Sequence, residues 1–177
     1  SHKIIYDFIK KIPPIIKIVI VENSQNHDLK RNIEQNYKNI SVYIRENNGV
    51  SSALNFAVDK IDTKYFLQIS PDIQFNFKDL EIFLNYAKKL DNNFAALGPK
   101  FLNANKKSHK QIDEKIESGE INSIHGSCMF INKENFKIIG KFDENFFLYF
   151  EETDYCFQAK KKGYRTYQIN TIKVETK

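Results

Sequence analysis

A near-continuous β-branched run at residues 15–21, entered from an amphipathic segment that two prolines cut off, restricts this chain more than any other feature. Residues 4–12 space their apolar side chains as one helix face does, and Pro13 and Pro14 forbid that helix from continuing. Ile and Val in close succession after it fit a strand covered on both faces, which is the habit of parallel sheets. The alternation then recurs. Residues 28–37 predict a helix, 40–45 a short strand, and 50–59 a helix after the turn at Asn47, Asn48 and Gly49. Residues 65–70 predict a strand, 77–90 a helix, 94–98 a strand, 101–122 a long polar excursion and 128–131 another strand. A segment at 142–149 leads into a helix running to Lys162 with Gly163 as its stop, and 164–169 predict a last strand. Strands alternating with helices imply an α/β fold with a mainly parallel sheet flanked by helices. With 177 residues and 41% hydrophobic content, one domain spanning 1–177 is expected.

Several function classes drop out early. No apolar run approaches the ~20 residues of a membrane-spanning helix, and the start does not read as a signal peptide, so a cytoplasmic location is expected. Cys128 and Cys156 lack metal-ligand spacing with histidine, which argues against a zinc site or disulfide framework and for reduced, half-buried thiols. The net charge of +5 is spread over scattered lysines, with pairs such as Lys10 and Lys11 and one cluster at Lys160, Lys161 and Lys162. That gives at most modest attraction to the inner face of an anionic membrane. No zinc finger, RNP-like strand or basic helix with heptads is present, so nucleic acid is not expected as a partner. Six glycines form neither a Walker-type loop nor a Gly-x-Gly-x-x-Gly turn.

Ligands of open α/β sheets sit beyond the carboxyl ends of strands, and four such ends are polar here. They are Glu22, Asn23 and Ser24; Asn47, Asn48 and Gly49; Ser70, Pro71 and Asp72; and, later, the acids Glu151, Glu152 and Asp154 behind an aromatic run. Each alone has an ordinary explanation as turn or cap, and the three acids also suit the first turn of a helix. Most of the aromatics Phe146, Phe147, Tyr149 and Phe150 are expected in the core. In this order, the four ends are harder to dismiss.

Taken together, these segments resemble the family-2 inverting glycosyltransferases of GT-A (Rossmann-like) fold, in particular a rhamnosyltransferase-like branch. Ile20 to Ser24 is similar to a Val-Asp-Asn-x-Ser segment with Glu22 at the acid, and Asn47, Gly49 and Asn55 match nucleotide-pocket positions. The resemblance therefore implies nucleotide binding by Glu22, Asn23, Asn47, Gly49 and Asn55. Ser70, Pro71 and Asp72 are similar to an Asn-Pro-Asp form of the Asp-x-Asp motif, which implies that Asp72 holds a divalent cation, Mg or Mn, on the donor diphosphate. His125, Gly126 and Ser127 look like the Gly-Ala or Gly-Ser segment near the donor sugar, and Asp154 belongs to the same side. The stretch from Phe142 to Asp154 resembles the Phe-Asp-Glu-x-Phe-Phe-x-Tyr-x-Glu-Asp-x-Asp signature, whose catalytic base falls on Glu152, with Glu151 in reserve.

What this implies is sugar transfer from a nucleotide-sugar donor to a hydroxyl of a bacterial surface-glycan or lipid-linked acceptor, with inversion. Apolar surroundings would suit such a base by raising its pKa. Two alternatives stay open: a related domain that binds nucleotide or sugar without turnover, and a Mg-dependent nucleotidyl or phosphoryl transferase. Against the family pattern, an opening strand before Ser1 and a segment after Lys177 are missing, so a chain truncated at both ends is expected.

Overall fold

The computed structural model describes residues 2–103 and 110–177. The order is helix α1 (His2–Ile9), strand β1 (Ile18–Glu22), α2 (His27–Asn36), β2 (Ile40–Ile44), α3 (Val50–Asp59), β3 (Tyr65–Ile69) and β4 (Ile73–Gln74). Then follow α4 (Leu80–Lys89), β5 (Ala96–Phe101), β6 (Ser118–Ile121), β7 (Cys128–Asn132), α5 (Lys133–Ile139), α6 (Glu151–Lys161) and β8 (Thr166–Thr176). Helix starts follow local chemistry. Asn26 caps α2 by accepting from Leu29 N at 2.8 Å, and Asn132 caps α5 by accepting from Glu134 N at 2.9 Å.

β1 and β2 form one parallel ladder. In the larger sheet the order β3-β7-β5-β8 has β7 antiparallel to both neighbours and β5 parallel to β8. β3, β5 and β8 therefore share one direction, the expected parallel frame, with β7 inserted in reverse. Short β4 and β6 add antiparallel pairing to β8. Having three partners explains why β8 continues to Thr176, well past the expected 164–169.

Other departures have local causes. The prolines close a turn, Ile16 N donating to Pro13 O at 3.0 Å, so the β-branched run becomes a strand only at Ile18 and leaves Ile15 91% exposed. All five residues of β1 are half-buried, not covered on both faces as its sequence predicts, whereas all five of β7 are buried. The predicted helix at 77–90 opens with a single tighter turn at Phe77–Asp79. The polar excursion contains β6, and its residues 104–109 lie outside the described ones. Helix α5 has no counterpart in the sequence reading.

Three apolar clusters fill the interior. One joins α1, α2, β1 and β2 around Ile33 and Val42; a second packs α4 on the sheet through stacked Phe83 and Phe130; the third packs α5 and α6 around Phe136, Phe142 and Tyr155. Cys128 and Cys156 are fully buried within the second and third, not half-buried. Burial pushes both thiols up, Cys156 to about 12.

Candidate functional site

β3 leads to the candidate metal residue. After Ile69 the chain turns, Ile73 N donating to Ser70 O at 3.1 Å, and Asp72 sits half-buried in that turn. The end of β8 buttresses it: Ile73 pairs with Thr176, and Lys177 N donates to Asp72 O at 3.0 Å. Ser70 N also donates to Ser127 O at 2.9 Å, and Gln68 Nε2 to Gly126 O at 2.6 Å. The loop at 125–128 is thereby fastened to the end of β3, because antiparallel β7 starts where β3 finishes, Ile69 opposite Cys128.

Gly126 is where the two halves of the site meet. A Cβ there would lie 3.3 Å from Glu152 Cδ and 3.4 Å from its Cβ and Cγ, so the missing side chain makes room for the Glu152 carboxyl arm. His125 stacks on Phe101 with ring centroids 4.4 Å apart, and its Nδ1 accepts from Ser127 N at 3.2 Å, which leaves the proton of a neutral ring on Nε2.

Glu152 belongs to the first turn of α6, where Glu151, Glu152 and Asp154 favour the helix dipole as the ordinary reading requires. The entry to that helix is not ordinary. Tyr149 and Phe150 stand at φ 67° and 72°, left-handed backbone that costs a side-chain-bearing residue about 1–2 kcal/mol each. Glu151 is 6% exposed and its Oε2 has no hydrogen-bond partner; Gln68 Oε1 is the other such buried oxygen among the described residues. Orphaned buried oxygens cost about 1–3 kcal/mol and mark places where a ligand or water is expected. Asp154, two residues beyond Glu152, falls on another side of the helix and accepts from Gln158 Nε2 at 3.2 Å.

The aromatic run before α6 is mostly not core. Phe147, Tyr149 and Phe150 are 56, 69 and 66% exposed, and Phe146 is half-buried. The expected apolar surroundings for the candidate base are thus an outward-facing ridge. The backbone leading to it, from Phe142 to Phe147, is stapled along α3. Asn55, 3% exposed, donates both amide protons, to Phe142 O and Glu144 Oε1 at 2.9 Å each, and accepts from Phe142 N at 3.0 Å. Ser51 Oγ donates to Phe146 O at 2.7 Å, and Val50 N to Phe147 O at 2.7 Å. Gly49, at φ 92°, lies where a Cβ would come 2.7 Å from Phe147 O. Asn47 Oδ1 accepts from Gly49 N at 3.3 Å. Gly49 and Asn55 therefore position the acid-bearing loop, a role that the sequence motif did not disclose.

Glu22 ends β1, beside the end of β2, with Arg45 N donating to Glu22 O at 3.0 Å. Its carboxylate turns back on its own loop, accepting from Ser24 N at 3.1 Å, from Ser24 Oγ, and from Asn26 N at 2.7 Å. Burial pulls its pKa upward, but these hydrogen bonds outweigh that and leave it below its ordinary value. Asn23, next in the chain, is half-buried in the same loop, and a cavity of about 590 Å³ opens beside it, lined by His2, Lys3, Ile5, Glu22, Ser24 and Leu29.

A divalent cation would take only part of its coordination from the side chains here. Among the described residues no three His, Cys, Asp or Glu side chains are grouped to hold a metal ion. Asp72 offers one hard oxygen ligand, so a cation here needs most of its coordination from a bound diphosphate and water. Besides the predicted residues, the geometry brings in Gln68, Ser51 and the strained pair Tyr149 and Phe150. A lone Gln in the otherwise apolar strand β3 was a readable signal; the strain was not.

Comparison with known proteins gives a consistent picture. The family profile for Glycosyl transferase family 2 matches residues 2–160. The chain is 21% identical over 195 residues to the low-salt glycan biosynthesis hexosyltransferase Agl10 of Haloferax volcanii, covering 97% of this chain and 62% of that one. It is 26% identical over 177 residues to the dTDP-rhamnosyl transferase RfbF of Shigella flexneri, covering 89% and 58%. The chain thus spans about three-fifths of the length of these two relatives. Among solved structures, GalNAc-T7 with UDP, GalNAc and Mn²⁺ superposes with a TM-score of 0.74 at 12% identity, over 95% of this chain and 39% of that one. The mannosyltransferase PcManGT of Pyrobaculum calidifontis with GDP-Man and Mn²⁺ gives 0.73 at 16%, over 99% and 53%. At such identities the likeness establishes the fold.

Proposed function

Because the chain belongs to glycosyl transferase family 2, we propose that it moves a sugar from a nucleotide-sugar donor to a hydroxyl of a bacterial surface-glycan or lipid-linked acceptor by a single displacement with inversion. The observation that carries this reading is the Glu152 side chain laid against Gly126, in a loop that Gln68 and Ser70 fasten to the strand end bearing Asp72. Glu152 would accept the proton of the attacking hydroxyl, with Glu151 as the second candidate. His125 and Gly126 would border the donor sugar and acceptor, whereas Asp154, turned to Gln158 on another side of α6, would not. Glu22, Asn23 and Asn47 would face the nucleotide from the ends of β1 and β2, while Gly49 and Asn55 act through the loop they hold. Asp72 would share a Mg or Mn ion with the donor. When bound, that cation supplies positive charge against the departing nucleoside diphosphate. A rhamnosyl transferase among the relatives and nucleotide- and Mn²⁺-bearing neighbours of the same fold support the donor class and the cation.

The test is transfer from a panel of nucleotide sugars, with the anomeric configuration of the product read by NMR. Glu152→Gln is expected to lower the rate about 10²-fold or more with donor binding intact. Loss in Glu151→Gln instead would move the base to Glu151, and retained configuration would overturn single displacement. The single acid of the Ser70, Pro71 and Asp72 segment favours one other reading, binding without turnover, which nucleotide binding with no transfer to any acceptor would select.

A further inference from the structure

Strand β3 is aliphatic or aromatic but for Gln68. Strand alternation puts Gln68 on the face of Phe66, and Met129, fully buried in the same apolar cluster, stands opposite it on β7. Its amide is half used. Nε2 donates to Gly126 O at 2.6 Å, whereas Oε1 is buried with no hydrogen-bond partner among the described residues. Turning the amide over gains nothing, because Oε1 would then face the Gly126 carbonyl oxygen and the bond would be lost. Against Met129 a methionine or leucine would bury no orphaned oxygen, so packing alone does not call for glutamine here. A group kept at a cost to the fold points to a role in the site.

That role lies one contact further on. β7 begins only at Cys128, so the Gly126 carbonyl has no ladder partner, and glycine is the residue least able to hold its own backbone angles. Yet Gly126 is the surface on which Glu152 lies, since a Cβ there would come 3.3 Å from Glu152 Cδ and 3.4 Å from its Cβ and Cγ. Swinging the peptide between Gly126 and Ser127 would move that surface and release the carboxyl arm. The peptide is held at both ends, its oxygen by Gln68 Nε2 and its N–H by His125 Nδ1 at 3.2 Å. His125 belongs to the same loop and moves with it. Ser70 N ties the next carbonyl, Ser127 O, at 2.9 Å, but as backbone it does so whatever residue other than proline stands at 70. Gln68 is thus the side chain that ties this peptide to the sheet.

We propose that Gln68 is a positioning residue for Glu152: by pinning the Gly126 carbonyl to β3 it holds the glycine against the carboxyl arm, and so fixes Glu152 relative to the strand end that carries Asp72. The consequence for rate rests on the transferase reading; the coupling itself does not.

The coupling is tested without substrate, by NMR of the whole chain. In Gln68→Met the Ser127 amide and the side-chain carboxyl ¹³C resonance of Glu152 are expected to shift or broaden together. Asn39→Ala, which removes an amide bond to Ile16 O before the starts of β1 and β2, is expected to leave both in place. Gln68→Asn, one methylene too short for Gly126 O, should repeat the effect, and circular dichroism with urea unfolding checks that each variant folds. In steady-state transfer with the donor that the wild type uses, Gln68→Met is expected to lower kcat about tenfold or more and to change the donor KM less than about threefold. Asn39→Ala should stay within about twofold of wild type in both. A Glu152 carboxyl that stays unmoved in both Gln68 variants overturns the proposal, as does a wild-type kcat in Gln68→Met or a loss confined to KM. No transfer by the wild type from any of a panel of UDP-, dTDP- and GDP-linked sugars overturns the transferase reading alone, and the NMR comparison then decides the coupling.

Discussion

Glu22 shows how a residue at a strand end can have its carboxylate held by its own loop. The sequence placed an acid at the end of β1, but its partners, Ser24 and Asn26, lie in its own loop, and no pattern rule says where a carboxylate turns. Those bonds set an acid response. The folded pKa lies below the ordinary 4.5, so the unfolded chain binds the proton more readily. The stabilisation is complete above that ordinary value and is lost as pH falls through the folded pKa. In thermal unfolding from about pH 7 down to about pH 3, the gap between wild type and Glu22→Gln is expected to be largest near neutrality and to close in acid. A gap of constant size across that range would mean that the carboxylate's charge contributes nothing.

At the scale of elements, α3 and the loop before α6 behave as one unit although about 90 residues of sequence separate them. Helix α3 was legible from its apolar spacing and its bounds agree with the structure, and the acidic signature from Phe142 to Asp154 was legible as a candidate site. That one staples the other was not, since a buried Asn reads alike whether it faces nucleotide or backbone. Asn55→Ala would strip Phe142 N and O of their side-chain partners and is expected to cost about 2–3 kcal/mol in urea unfolding. Gly49→Ala forces a side chain into left-handed backbone against Phe147 O and is expected to cost about 2 kcal/mol or more. Asn145→Ala, exposed in the same loop, should stay within about 0.5 kcal/mol of wild type. If Asn55→Ala or Gly49→Ala matched that control, the staple would be packing without consequence.

Across the whole molecule, the rule that ligands gather at strand ends covers only part of the candidate site, because β7 runs backwards. His125 and Gly126 precede their strand, yet they reach the edge where β3 finishes, since an antiparallel neighbour begins where its partner ends. Strand direction depends on pairing partners far away in sequence, so no local pattern carried it. The same edge carries Asp72, the proposed metal ligand, and among the described residues no group of three or more His, Cys, Asp or Glu side chains could hold a metal ion. Such a site is incomplete until a diphosphate supplies oxygens. Calorimetric titration of the free chain with Mn²⁺ is therefore expected to give a Kd of about 1 mM or weaker. With the correct nucleoside diphosphate among UDP, dTDP, GDP and CDP at saturation, cation affinity should rise about tenfold or more. Linkage then requires that saturating Mn²⁺ raise the affinity for that nucleotide by the same factor. Asp72→Ala should abolish both gains and Glu152→Gln neither. Tight Mn²⁺ binding by the free chain, or a gain that survives Asp72→Ala, would place the cation elsewhere.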